Sequence, residues 1–162
     1  MFKETINLRK ATELSTIIDL ICDEYELYHV SLYLIIERLE RKKSPVLAAA
    51  SGEAGKIRLN RELPRSIDGP SLHCRVARQQ TASVEHILLD DPGVFPNPIL
   101  PLTRSKIALP LFDDSEVIGV LELESTEDAA FSENDILLFQ PIADKIADII
   151  QNHQREHNRK EK

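Results

Sequence analysis

His73 and Cys74 are the neighbouring pair in this 162-residue chain whose types could do chemistry. A thiol reacts as the thiolate, and a place near the start of a helix favours that form. Adjacent helical residues project about 100° apart, so direct action as nucleophile and base on each other is not expected. The competing reading is a small buried thiol beside a packed histidine. Glu122 and Glu124 alternate along a strand-like run and share a face with Ile118 and Val120. Paired carboxylates can do acid–base work, but a buried one needs a partner. Arg75, Arg104 or a ligand amine are the candidates for Glu122. Asp90, Asp91, Phe95 and Asn97 sit on a proline-rich segment that leads to Arg104 and Ser105, which suits the polar rim of a pocket. The candidate ligand-binding residues are thus Ser71, His73, Cys74, Asp91, Phe95, Asn97, Arg104 and Glu122. His153 and His157 have the spacing of metal ligands on one helix face, but no third ligand accompanies them, so no metal is expected. His29 and His86 flank strands and read as structural or surface residues. A glycine-rich phosphate loop and a nucleophile elbow are both missing from the sequence.

The elements that must position these residues follow from periodicity. Leu14, Ile17, Ile18, Ile21 and Tyr25 recur at helical spacing and predict a helix over about Asn7 to Leu27. His29 to Ile36 reads as a strand covered on both faces, and Pro45 to Ser51 returns beside it. Ile57 to Asn60 suggests a short helical turn, and Arg61 to Ile67 a weak strand. Asp68-Gly69-Pro70-Ser71 is a helix-start signal for a segment to about Gln79, with Leu72, Val76 and Ala77 facing inward. Ala82 to Glu85 is a short strand. Residues 88 to 104 hold four of the nine prolines, in a connection long enough to act as a lid. Ile107 to Phe112 and Val117 to Ser125 pair as a hairpin about Asp113 to Glu116, with an irregularity expected near Pro110. Ser132-Glu133-Asn134-Asp135 resembles a capping box and opens a second long helix, kinked near Leu137 to Pro141.

Composition bounds the classes. The net charge is −7 with 29% charged residues, which argues against a nucleic-acid binder, because phosphate neutralisation supplies most of that affinity. Aromatic residues are 5% and Trp is absent, so a base-stacking platform is not expected. No tract approaches the roughly 18 apolar residues of a membrane span, and the expected location is cytoplasmic. Two cysteines, Cys22 and Cys74, cannot build a disulfide framework or a four-thiolate zinc site. The last twelve residues carry +2, and the remainder −9. That basic stretch has no apolar residue and reads as a helix leaving the domain, so the expected organisation is a body over 1–151 and a charged helical connector over 152–162.

Tyr28 to Leu34, Gly69 to Leu72 with Arg75 to Arg78, Ile107 to Leu111, and Val117 to Thr126 with Phe131 to Asp135 together resemble a GAF domain of bacterial sensor proteins. The resemblance implies an α+β fold with a six-stranded antiparallel sheet. It places the two terminal helices on one face, and a short helix and loops around a small-molecule pocket on the other. It implies a non-enzymatic sensory module, its cofactor unknown, that acts on a fused or partner kinase, cyclase, phosphodiesterase or transcription activator. A homodimer through the terminal helices is expected, with Leu14, Ile18, Ile21, Ile142, Ile146 and Ile149 as its seam. Two alternatives stand beside it: a dimerisation module without a ligand, and a thiol-based redox sensor or enzyme using Cys74. Cyclic-nucleotide members carry motifs that Ser125-Thr126 and Phe131 to Ile136 do not reproduce, so that ligand is not expected.

Overall fold

In the computed structural model, the described residues are 8–88, 90–91 and 97–161, with the side chains of 8–12 left aside. The described residues form four α-helices and five strands. Helix α1 (Leu8–Glu24) leads to β1 (His29–Glu37), and a 3-10 turn at Leu39–Arg41 leads to β2 (Lys43–Ala50). Helices α2 (Gly52–Arg61) and α3 (Leu72–Gln79) follow, then β3 (Ser83–His86), β4 (Ser105–Asp113), β5 (Glu116–Ser125) and α4 (Glu133–Lys160). The sheet order is β2-β1-β5-β4-β3, and every adjacent pair is antiparallel.

The sheet has five strands where six were expected. The stretch taken for a weak strand enters no pairing. Its first residue, Arg61, closes α2, and Pro64, with no N–H to give, sits in the irregular chain that follows. The expected turn at Ile57 to Asn60 is instead the second half of that ten-residue helix.

Strand alternation divides the sheet into two unlike faces. Val30 and Leu32 of β1, Ile107, Leu109 and Leu111 of β4, and Leu121 and Leu123 of β5 meet Leu14, Ile18 and Ile21 of α1 and Phe139, Ala143, Ile146 and Ile150 of α4. This is the main core. Of the residues expected to form a dimer seam, Leu14, Ile18, Ile21 and Ile146 are buried in the chain's own core, while Ile142 and Ile149 are half-buried. The opposite face is apolar only at one end, where Leu72, Val76 and Ala77 of α3 cover Tyr33, Ala108 and Val120. The rest of that face is polar, and the register shows why. Glu85, Lys106, Glu124 and His29 stand side by side across β3, β4, β5 and β1, with Glu122 opposite Ser31 in the next row.

Local signals account for the connections. Asp114 takes a left-handed conformation (φ 53°) in the β4–β5 turn, which Asp tolerates better than most residues. At Pro110, β4 has a neighbour on one side only, since β3 stops opposite Ala108, and the register slips just beyond, between Leu111 and Phe112. Ser132 and Asp135 form the capping box of α4, which runs without a break through Pro141 to Lys160. Among the described residues, no helix is long and apolar enough to cross a membrane.

Candidate functional site

The polar half of the sheet face and the start of α3 build one cluster. Ser71 holds the N-cap position of α3, yet its hydroxyl makes no capping bond. It donates to Cys74 Sγ at 3.1 Å and lies 3.3 Å from His73 Nε2. The hydroxyl that a helix start ordinarily uses on its own backbone therefore bridges the imidazole and the thiol. Helical spacing alone does not lead one to expect direct action between His73 and Cys74, and Ser71 adds a bridge between them. On the other side of the ring, His73 Nδ1 faces Glu122 Oε2 at 3.5 Å, an ion-pair separation too long for a strong hydrogen bond. Glu122 Oε2 is buried and has no hydrogen-bond partner.

Charge sets the protonation of this line of groups. Burial works against a charged His73, but its contacts with Cys74 and Glu122 outweigh that and lift its pKa to about 9. Burial likewise opposes a thiolate at Cys74, whereas hydrogen bonds from His73 and Ser71 and the charges of His73 and Arg78 bring the thiol below its ordinary value. Glu122 is buried, which alone would raise it; Lys106, His73 and Arg58 instead hold it at about 2. The arrangement at neutral pH is an imidazolium between a carboxylate and a sulfur biased toward thiolate. Cys74 itself is fully buried under the turn before α3, where its S–H reaches Ser66 O at 3.5 Å. Arg78 Nη1 holds that turn by donating to Ile67 O at 2.7 Å and Gly69 O at 2.6 Å.

Lys106 and not Arg75 or Arg104 is the cation that partners the carboxylates. Its ammonium stands 3.6 Å from Glu122 and 3.8 Å from Glu124. Glu124 also accepts from Thr103 Oγ1 at 2.9 Å. Burial and the neighbouring Glu122 push Glu124 above the ordinary carboxylate range, although Lys106 pulls the other way.

Arg58 anchors the far side. Its guanidinium enters the sheet face from α2 and donates to Tyr33 Oη at 2.6 Å, to Ser31 Oγ, to His29 Nε2 at 2.9 Å and to Glu62 at 3.0 Å. Because Arg58 can only donate, His29 Nε2 must accept, and its proton sits on Nδ1, 3.2 Å from Ser51 Oγ. Burial and the Arg58 charge keep His29 neutral, with a pKa lowered to about 4. Tyr33 then lies flat against His73, ring centroids 3.7 Å apart and planes 8° from parallel.

Of the residues singled out in the sequence, Ser71, His73, Cys74 and Glu122 are brought together. Arg104 is not part of the cluster, and its guanidinium donates to Thr103 O at 3.3 Å. Asp91 and Asn97 are exposed on the loop, where Asn97 Oδ1 accepts from Ile99 N. Phe95 lies outside the described residues. Arg58, Tyr33, Ser31 and Lys106 escaped the sequence reading. For Tyr33 and Ser31 the signal was alternation: polar His29, Ser31 and Tyr33 interleave with apolar Val30 and Leu32, just as Glu122 and Glu124 interleave with Leu121 and Leu123. A separate open groove of about 420 Å³ lies beside the start of β1 and the end of β5, lined by Tyr25, Tyr28, Glu127, Phe131 and Phe139, and shares no residue with this cluster. Among the described residues, no group of three or more His, Cys, Asp or Glu side chains is placed to hold a metal ion.

Known structures share this fold. A type II free methionine-R-sulfoxide reductase from Thermoplasma acidophilum is 19% identical, with a TM-score of 0.66 over 88% of this chain and 94% of that one. The free methionine-R-sulfoxide reductase from Neisseria meningitidis, solved with its substrate, is 23% identical, with a TM-score of 0.67 over 91% of this chain and 80% of its own. The GAF domain of a phosphoenolpyruvate-protein phosphotransferase from Coxiella burnetii is 18% identical, with a TM-score of 0.69 over 93% and 94% of the two chains. No curated protein sequence matches the chain. The expectation of a module without enzymatic activity is overturned by the first two, which are enzymes built on this fold. At these identities the likeness carries the architecture. The family model for the GAF domain matches residues 11–151, and the chain belongs to the GAF family.

Proposed function

We propose that this chain is a thiol-based redox protein in which Cys74 takes an oxygen atom from a small oxidised molecule. The observation that carries the reading is the Ser71 hydroxyl joining Cys74 to His73, with Glu122 behind the imidazole. The resemblance in fold to sulfoxide reductases supports it as analogy. The Cys74 thiolate attacks the electrophilic oxygen of a hydroperoxide, or the sulfur of a sulfoxide, while the His73 imidazolium gives its proton to the departing or transferred oxygen. A hydroperoxide leaves as the alcohol and a sulfoxide as the thioether. Cys74 becomes the sulfenic acid, oxidised by two electrons as the oxygen donor is reduced by two. An external thiol then condenses with the sulfenic acid, releasing water, and a second thiol frees Cys74 and leaves as the disulfide.

The ionisation step also bears on access. A thiolate has no proton to give Ser66 O, so the bond that ties the turn over the sulfur is lost as the nucleophile forms. Glu122 keeps His73 charged and takes no part in the proton transfer of this scheme. In a sensing role, the oxidised centre would be read through the terminal helices, since α4 continues past its last buried residue, Ile150, to Lys160.

The test is oxygen transfer in the intact protein. With cumene hydroperoxide or methyl phenyl sulfoxide as donor, wild type should gain one oxygen by intact mass, trapped by dimedone on Cys74. It should turn over when dithiothreitol is present. Cys74→Ser should lose at least about 100-fold in donor consumption, because the covalent step is gone. Equal rates in wild type and Cys74→Ser would defeat the proposal.

A further inference from the structure

Tyr33 has no role in the oxygen-transfer scheme, yet more of its surroundings are built than those of any other aromatic near the site. Its ring is buried and stacks on His73 at 3.7 Å with the planes 8° apart. Its phenol is bolted by Arg58 Nη2 at 2.6 Å, and Glu62 Oε1 lies 3.4 Å from the same oxygen. Arg58 is in turn fixed by Ser31, His29 and Glu62, so the phenol cannot swing without moving α2. On the strand, Tyr33 is held opposite Val120, whose neighbour but one on the same face is Glu122.

We propose that Tyr33 is a positioning residue for Cys74: its ring fixes the plane of the His73 imidazole so that one nitrogen stays on Glu122 and the other on Ser71, and Arg58 fixes the ring. The inference rests on the thiol chemistry proposed above. An imidazole held on one axis only could rotate about its side-chain bonds and lose the Ser71 bridge. A flat aromatic face removes that freedom, and a stacked imidazolium is also stabilised by the π-cloud. The groups that bear on His73 come from every element around it. Glu122 of β5 favours its charge, as does Cys74 beside it on α3. Lys106 of β4 acts through Glu122, and Arg58 of α2 through Tyr33. Arg78 bears on Cys74 directly. Tyr33 sits among these as the uncharged member that sets geometry.

The readout is the pH dependence of Cys74 alkylation by iodoacetamide, which reports the thiolate and requires no oxygen donor. Cys22→Ser is the background, so that one thiol is followed. Tyr33→Phe keeps the stack and loses the Arg58 bond; Tyr33→Leu loses the stack. Tyr33→Leu should raise the alkylation midpoint by at least about half a pH unit, the size of a stacked-cation contact expressed as a proton equilibrium. Tyr33→Phe should shift it less. A Tyr33→Leu protein that folds by circular dichroism yet keeps the wild-type midpoint overturns the inference. If Tyr33→Leu does not fold, Tyr33→Phe carries the test: a midpoint raised by about half a pH unit or more with the ring still in place would count against the stack as the operative contact. A wild-type midpoint at the ordinary cysteine value would sink the thiolate reading itself, which separates the two failures.

Discussion

Two buried histidines titrate in opposite directions, and together they shape the stability of the protein against pH. His73 is raised from 6.5 to about 9, so the folded state holds a proton that the unfolded chain releases first. Its stabilisation is complete below 6.5 and is lost as pH rises through about 9. His29 is lowered to about 4 because burial and Arg58 oppose its charge. Its contribution is complete above 6.5 and fades as pH falls toward 4, where the unfolded chain takes up the proton that the native state refuses. Melting temperature should therefore peak near pH 6.5 and fall on both sides. His73→Gln should flatten the alkaline arm and His29→Gln the acid arm between 6.5 and 4, both checked by scanning calorimetry. A wild-type profile level from 6.5 to 9 would contradict the first assignment. At this scale the sequence was legible where the residue type announces chemistry, as with His73 and Cys74. It was opaque for Arg58 and Lys106, because each reaches the cluster from an element whose local pattern gives no hint of the partner. Glu122 shows the limit most sharply: its need for a cation was foreseeable from burial, but which cation depended on the β4–β5 register.

Helices α1 and α4 and the β4–β5 hairpin follow directly from apolar spacing and turn residues, whereas their packing on one face came from the family resemblance. Helix α2 does not follow from such signals. Two glycines at its start speak against a helix, but Gly55 is a contact point, because a Cβ there would stand 2.2 Å from the Ala50 carbonyl oxygen at the end of β2, well inside van der Waals contact. Close approach of α2 to β2 brings Arg58 over the sheet face. Gly55→Ala gains up to about 1 kcal/mol of helix propensity and loses about 1–3 kcal/mol to the clash. The net effect should be destabilising, measured as a lower urea midpoint at constant m-value. A raised midpoint would mean that α2 can back away from β2 without cost. The same distinction between pattern and packing applies to the expected seam. A heptad-like spacing of Ile18 and Ile21 describes one face of α1 but does not say whether a sheet or a second helix covers it. In this fold the sheet covers it, so an acidic residue at Ile146 would report on folding before it reported on association.

As a whole, the molecule is a five-stranded partition with helices on both sides and a helix that outruns it. The part of α4 beyond Ile150 is joined to the body through His153, whose Nε2 lies 2.8 Å from Glu13 of α1 on a half-exposed surface, and through Gln151, which donates to Phe112 O. Exposed ion pairs of this kind contribute little. Ending the chain after Asn152 should move the melting temperature by no more than about 2 °C; a larger fall would show that the charged extension supports the body. The two thiols stand on opposite sides of the partition, Cys22 on α1 and Cys74 on α3, and neither is in a disulfide. On the proposed chemistry, Cys22 is on the wrong side of the sheet to resolve an oxidised Cys74. Turnover then depends on reductant from outside. Where thiols are abundant the protein cycles and consumes oxidant; where they are scarce it halts after one oxygen per molecule and persists as a lasting mark of exposure. The same centre is a catalyst in one surrounding and a recorder in the other.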